Sequence, residues 1–378
     1  MDWVVPLSDI DFGADEEQAV LEVLRSRWLT MGDVTREFEQ AFSSYLNVDY
    51  SIAVTNGTTA LHLACAALGI QPGDEVIVPS LSFVATANAV RYTGADVVFA
   101  DIISLQEPCI DPSEIKKLIT SKTRAVIVMH YAGIPCRMQE IIELCSPYQI
   151  AVIEDAAHAP GASISNQKLG TWGTLGCFSF FSNKNLITGE GGMVVTSDES
   201  LAEKIKLLRS HGMTSTTLDR YKGHAYSYDV IELGFNYRLD EIRSALGLVQ
   251  LSKLDPNNKI RNNWVQKYMA ELSPTGLILP FAHSCGEPSF HIMPVVLSES
   301  INRESFMNEM KKKKVQTSIH YPAIHQFTYY EKDTLSHHLP ITEAFCKREV
   351  TLPLFPTMTN DQFTIVIKAV KESLLAAS

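Results

Sequence analysis

The chain has 378 residues, 46% of them hydrophobic and 20% charged, with a formal net charge of -11 and a pI near 5.5. It can bury a large core, and its length exceeds what one core usually serves, so a large unit and a smaller one are expected. The acidic balance argues against a nucleic-acid surface, no apolar run approaches the roughly 20 residues of a membrane span, and "MDWVVPLSDIDFG" lacks the features of a signal peptide; a cytoplasmic location is expected.

In chain order, "ADEEQAVLEVLRSRW" and "GTTALHLACAALG" repeat apolar residues at helical spacing. Short β-rich runs follow, "EVIVPS", "ADVVFAD", "RAVIVMH" and "IAVIEDAA", separated by helical stretches such as "PSEIKKLI" and "RMQEIIELC". Strands alternating with helices at this pitch predict an α/β fold, a mostly parallel sheet sandwiched by helices. Ligands in such sheets bind beyond the carboxyl ends of the strands, so the residues after each apolar run are the candidates. The large unit is expected over 1–256. From about Asn257 the pattern changes, with "NNKIRNNWVQKYMAEL" reading as a long helix leading into a small α+β unit over 257–378. The "KKKK" run at Lys311–Lys314 reads as a solvated helix end. The seven cysteines are scattered, with no C-x-x-C pair and no metal spacing, and read as reduced thiols with no metal site.

Three strand ends carry chemistry. After "YSIAV", the segment "TNGTTALH" leads Thr55, Asn56, Gly57, Thr58 and Thr59 into a helix, where exposed N–H groups and the helix dipole suit a phosphate, although taken alone ordinary capping explains such a segment better. After "IAVI", "EDAAHAPGA" places Glu154, Asp155 and His158 together; adjacent carboxylates on a strand face opposite ways, so one enters a site while the other turns outward or caps a helix. Asp155 is the functional candidate, with a bland loop as the alternative. In "SFFSNKNLITGEGG" a lone lysine, Lys184, sits between an apolar run and a glycine-rich turn, the setting of a group held inside the fold.

A lysine able to form an imine, a strand-end carboxylate and a phosphate cup are together what pyridoxal phosphate requires. At these residues the sequence resembles the DegT/StrS-type nucleotide-sugar aminotransferases, fold-type I pyridoxal phosphate enzymes. The resemblance runs nearly end to end, through "RSRWLTMGDVTREFEQAF", "NGTTALHLA", "PSLSFVATANAV", "EDAAHAPGA", "FSFFSNKNLITGEGG" and "LGFNYRLDEIRSALGLVQL" to "HYPAIH" and "TLPLFPTMTNDQ". It implies that pyridoxal 5'-phosphate is held covalently by Lys184, which also shuttles the proton, and that Asp155 keeps the ring nitrogen protonated. It further implies that His158 hydrogen-bonds near the ring's phenolic oxygen, that Phe83 stacks on the ring, and that Gly57, Thr58 and Ser179 hold the phosphate. Asn236, in "GFNYR", matches a family residue that reaches the phosphate from the neighbouring subunit, which implies a homodimer with shared sites. Trp28, Tyr221, His224, His320, Tyr321 and His325 match segments bordering the substrate pocket. The implied reaction takes an amino group from glutamate or glutamine to a keto group of a nucleotide-linked deoxysugar. Because the lysine is kept, the branch with histidine there that removes a sugar hydroxyl is disfavoured. A non-catalytic cofactor-binding regulator and amination of another ketone, such as a cyclitol, are the alternatives.

Overall fold

In the computed structural model, residues 3–215, 223, 227–332 and 338–377 are described. The first elements are helices α1 (Ala14–Ser26) and α2 (Asp33–Leu46), strand β1 (Tyr50–Val54), α3 (Gly57–Ala67), β2 (Glu75–Pro79), α4 (Ala85–Arg91), β3 (Asp96–Ala100) and α5 (Pro112–Leu118). There follow β4 (Thr123–Met129), α6 (Met138–Cys145), β5 (Ala151–Asp155), the short pair β6 (Ser163–Ile164) and β7 (Gln167–Lys168), β8 (Leu175–Ser179), β9 (Gly192–Thr196) and α7 (Glu199–Arg209). The rest comprises α8 (Glu241–Leu272), β10 (Met293–Val296), α9 (Arg303–Lys312), α10 (Pro340–Arg348), β11 (Glu349–Leu352) and α11 (Asn360–Ala377). Side-chain caps open many of these helices: Asp111 accepts from Ser113 N–H ahead of Pro112, Asp198 from Ser200 and Leu201, Asp240 from Arg243, and Asn302 from Ser305.

The main sheet has seven strands in the order β1-β9-β8-β5-β4-β2-β3. Pairing is parallel from β8 to β3, and β9 runs antiparallel to both β8 and β1. Successive residues of a strand feed opposite cores: Ala125 and Ile127 pack on one face of β4, Val126 and Val128 on the other, and Val76 and Ile77 divide likewise. Both faces are covered, so these strands read in sequence as continuous apolar runs.

A third core gathers Trp264, Val265 and Tyr268 of α8 with β10, β11, α9 and α11, and includes Val5 from the chain's beginning. The helix expected from about Asn257 starts at Glu241 and runs on through Pro256. Its apolar face changes from one core to another along its length, so no single amphipathic period marks its start. The lysine run ends α9 as expected, with Lys312 paired to Glu309 and Lys313 to Glu372. All seven cysteines are free thiols, six of them buried. Among the described residues no helix is long and apolar enough to cross a membrane.

Candidate active site

A cavity of about 480 Å3 opens at the carboxyl ends of β5 and β8, against the start of α3. A larger concavity, about 940 Å3, lies over α2 and α7, but it contains neither Lys184 nor Asp155, and its Arg209 is already committed to Glu39 and the Ala53 carbonyl.

Lys184 is drawn into the smaller cavity by its neighbours. After β8 the chain makes an excursion whose base is closed by Phe180 N–H to Gly191 O and Thr188 N–H to Phe180 O, with Gly189 at φ +82°. Buried Leu186 and Ile187 anchor the excursion in the core, and Lys184 N–H donates to Phe181 O. The lysine is 9% exposed, and no described residue accepts a hydrogen bond from its Nζ. Burial lowers its pKa to about 8 against the opposing pull of Asp155.

Asp155 ends β5 and is 4% exposed. Its Oδ2 accepts from Thr86 Oγ1 at 2.7 Å, which in turn receives Ser82 Oγ at 2.5 Å, and its Oδ1 accepts from Ala157 N–H at 3.2 Å. Burial raises its pKa, and the Thr86 and Ala157 hydrogen bonds and the Lys184 charge hold it down. Glu154, expected to turn outward or to cap a helix, is fully buried on the opposite side of the strand. It accepts N–H groups of Gly170, Trp172 and Gly173, each at 2.7 Å, and His130 Nε2–H at 2.9 Å. His130 Nδ1 accepts from Cys136 N–H, which fixes that tautomer.

At the start of α3, Asn56 caps the helix by accepting Thr59 N–H. The N–H groups of Gly57 and Thr58, and the hydroxyls of Thr58 and Ser179, donate to no described residue, and all three residues line the cavity. A Cβ on Gly57 would stand 2.8 Å from Ser179 Cβ, so only glycine lets strand end and helix start meet this closely. These free donors on a helix N-terminus fit a phosphate, and a lysine and a carboxylate lie in the same cavity. Phe83 lines the cavity and is 55% exposed, and its ring lies 5.8 Å from that of Tyr321. His158 is neutral, its pKa driven well down by burial; its Nδ1 accepts from Ala132 N–H, so its Nε2–H donates to Tyr321 Oη at 2.9 Å.

Lys184, Asp155, Gly57, Thr58, Phe83, His158, Ser179, His320 and Tyr321 thus share one cavity. His325 stands behind it, bound to Ser80 Oγ at 2.7 Å and packed on Phe99. Trp28 is away from it, beside Gly32. Asn236 is exposed outside it, on a segment bridged to Ser210. Tyr221 and His224 lie outside the described residues. The sequence did not single out Thr86, Asn183 or Glu190; Thr86, one turn beyond Ser82 at the opening of α4, looks like any hydroxyl at a helix start.

A model of the DegT/DnrJ/EryC1/StrS aminotransferase family matches residues 11–371. The chain is 36% identical over 373 residues to the spore coat polysaccharide biosynthesis protein SpsC of Bacillus subtilis, covering 97% of this chain and 96% of that one. The solved structure of PseC from Helicobacter pylori, an aminotransferase involved in the biosynthesis of pseudoaminic acid, matches with a TM-score of 0.92 at 29% identity, covering 98% of this chain and 99% of that one. Spr1654 of Streptococcus pneumoniae in its PLP form matches with a TM-score of 0.91 at 25% identity, over 99% of both chains. With the matched residues spanning every strand of the main sheet and every cavity residue named above, the chain belongs to the DegT/DnrJ/EryC1/StrS aminotransferase family.

Proposed function

We propose that this protein is a sugar aminotransferase that takes an amino group from glutamate or glutamine and delivers it to a keto carbon of a nucleotide-linked deoxysugar. The observation that carries the reading is the convergence of a buried lysine, a buried carboxylate and free phosphate donors in one cavity. Pyridoxal 5'-phosphate, the cofactor, supplies when bound an aldehyde that exchanges with amines and a ring that accepts an electron pair. Gly57, Thr58 and Ser179 would hold its phosphate, Asp155 would keep a proton on its ring nitrogen by charge, Phe83 would cover one ring face, and His158 would sit near the phenolic oxygen, its Nε2–H turning from Tyr321 Oη to donate there. Lys184 Nζ would be the covalent anchor and, when free, would carry the proton between substrate and cofactor carbons; a pKa lowered to about 8 brings its deprotonation closer to neutral pH than that of an ordinary lysine.

The same proposal includes a cytoplasmic homodimer whose partner subunit supplies Asn236 to the phosphate. In support, Asn236 is exposed and adjoins an apolar stretch, Tyr228, Val230, Ile231 and Leu233, of which Leu233 is 86% exposed. It also includes a division into units at 1–256 and 257–378, supported by the third core, drawn almost wholly from residues after 257. Mass spectrometry of products from glutamate or glutamine with a panel of nucleotide keto-sugars tests the reaction. A mass change matching exchange of a keto oxygen for an amine is expected with at least one sugar. Turnover only with a cyclitol ketone, or none while the cofactor stays bound, would overturn the reading.

A further inference from the structure

We infer that Glu349, acting through the Thr351 hydroxyl, decides which ring nitrogen of His320 carries the proton, and so whether this histidine meets the cavity as a hydrogen-bond acceptor or donor. Glu349 and Thr351 are two apart on β11 and therefore share a face; both are 1% exposed. The carboxylate is clamped at both oxygens: His320 N–H donates to Oε2 at 2.8 Å, and Thr351 Oγ1 lies 2.5 Å from Oε1. Thr351 Oγ1 is also 2.8 Å from His320 Nδ1. The other ring nitrogen, Nε2, bonds to no described residue, and His320 lines the cavity beside Lys184.

A hydroxyl has one proton, and this forces a choice. When Glu349 is ionised, Thr351 donates to it and must accept from His320 Nδ1–H, which leaves Nε2 with a bare lone pair. When Glu349 is protonated it donates to Thr351, Thr351 donates to Nδ1, and the ring proton moves to Nε2. Burial and the Lys184 charge lower His320 to a pKa of about 4, so the ring holds one proton and the two tautomers are the available states. Burial raises Glu349 to about 8, opposed by its hydrogen bonds and the Arg303 charge, so both of its states are reached near neutral pH. Tyr131, Cys346 and Tyr321 also face Glu349, but burial raises all three, so they stay neutral in this range. On the ring side, His158 and His291 are buried and neutral, leaving Lys184 as the charge His320 senses.

The consequence for catalysis rests on the reaction proposed above. An amino donor must lose a proton as it enters, whereas a keto acceptor is helped by a donated one. An Nε2 that changes from donor to acceptor serves either need at the same place, which makes Glu349 a positioning residue.

The test is ring ¹⁵N NMR of histidine-labelled holoenzyme between pH 6 and 10, with His320 assigned by its loss in His320→Gln. Wild type should change from the Nε2–H to the Nδ1–H form as pH rises through about 8. In Glu349→Gln the amide oxygen stays on His320 N–H, so the NH2 end faces Thr351 and the Nε2–H form should persist throughout. Thr351→Val should abolish the pH response and Thr351→Ser restore it, a comparison that stands even if Glu349→Gln folds poorly. The pH dependence of kcat/KM for the amino donor should lose the same transition in Glu349→Gln. One tautomer throughout in wild type, or a persistent change in Thr351→Val, would overturn the inference. The spectra do not depend on turnover, so failure of the proposed reaction would be seen separately.

Discussion

The two carboxylates at the end of β5 differ by one position and by their whole environment. Asp155 faces the cavity with one hydroxyl and one N–H upon it, while Glu154 is saturated by three backbone N–H groups and His130. Asp155→Asn should keep much of the cofactor but lose about 10² to 10⁴ in the rate at which the proposed donor, glutamate or glutamine, converts it to the amine form, because an amide cannot hold a ring proton by charge. Glu154→Gln should keep that rate within about tenfold per folded molecule yet unfold at lower temperature, since an amide replaces an acceptor-only group that meets four donors. Single-turnover absorbance and thermal melts of both variants measure this, and a normal rate in Asp155→Asn beside a dead, well-folded Glu154→Gln would reverse the assignment. The alternation of a strand made it legible in sequence that the two carboxylates face opposite ways, but not that Glu154 would be buried as deeply as Asp155. What the sequence did not contain was the partner of each group: Thr86 and Gly170 lie 69 and 16 residues from the carboxylates they bond, and only the sheet's pairing brings them together.

At the scale of elements, β2 to β5 could be read as strands because both sheet faces are buried and leave unbroken Val/Ile runs, and the turns after them could be read as ligand sites. The beginning of α8 could not, because its residues serve more than one core and Pro256 falls within it. The junction of α3 with β8 is where two elements make one binding surface. Its closeness depends on Gly57, whose added Cβ would press on Ser179 at 2.8 Å. Gly57→Ala should therefore separate the helix start from the strand end and weaken cofactor retention by about 10- to 100-fold, roughly the loss of one or two charge-assisted hydrogen bonds. Cofactor dissociation followed by absorbance on dilution measures it. Retention equal to wild type would mean that α3 shifts freely and that the phosphate contacts do not depend on this spacing.

For the whole molecule, Glu349 couples the cavity to stability. Its folded pKa, about 8, is above the ordinary value of 4.5, so its contribution is complete below about 4.5 and is lost as pH rises through about 8. The buried histidines act oppositely, but only below about 6.5, and depressed Lys184 only above about 8, so the window between is clear. From pH 6.5 to 8 wild type should lose up to about 2 kcal/mol that Glu349→Gln does not, read from urea midpoints of the two; parallel slopes would place the proton elsewhere. The assembly itself carries a second whole-molecule prediction. Asn236 is exposed, outside its own chain's cavity, beside an uncovered apolar stretch, so a complete site is proposed to need a second copy. Mixing Lys184→Ala chains with Asn236→Ala chains in equal amounts, with free exchange, makes half of the dimers hybrid. In each hybrid, the Lys184→Ala subunit supplies an intact Asn236 to its partner's intact lysine, while the other site lacks the lysine. Recovery should therefore approach about one quarter of wild-type turnover, above whatever Asn236→Ala retains alone. Native mass spectrometry verifies the exchange, and no gain over the separate variants once hybrids are seen would show that each chain completes its own site.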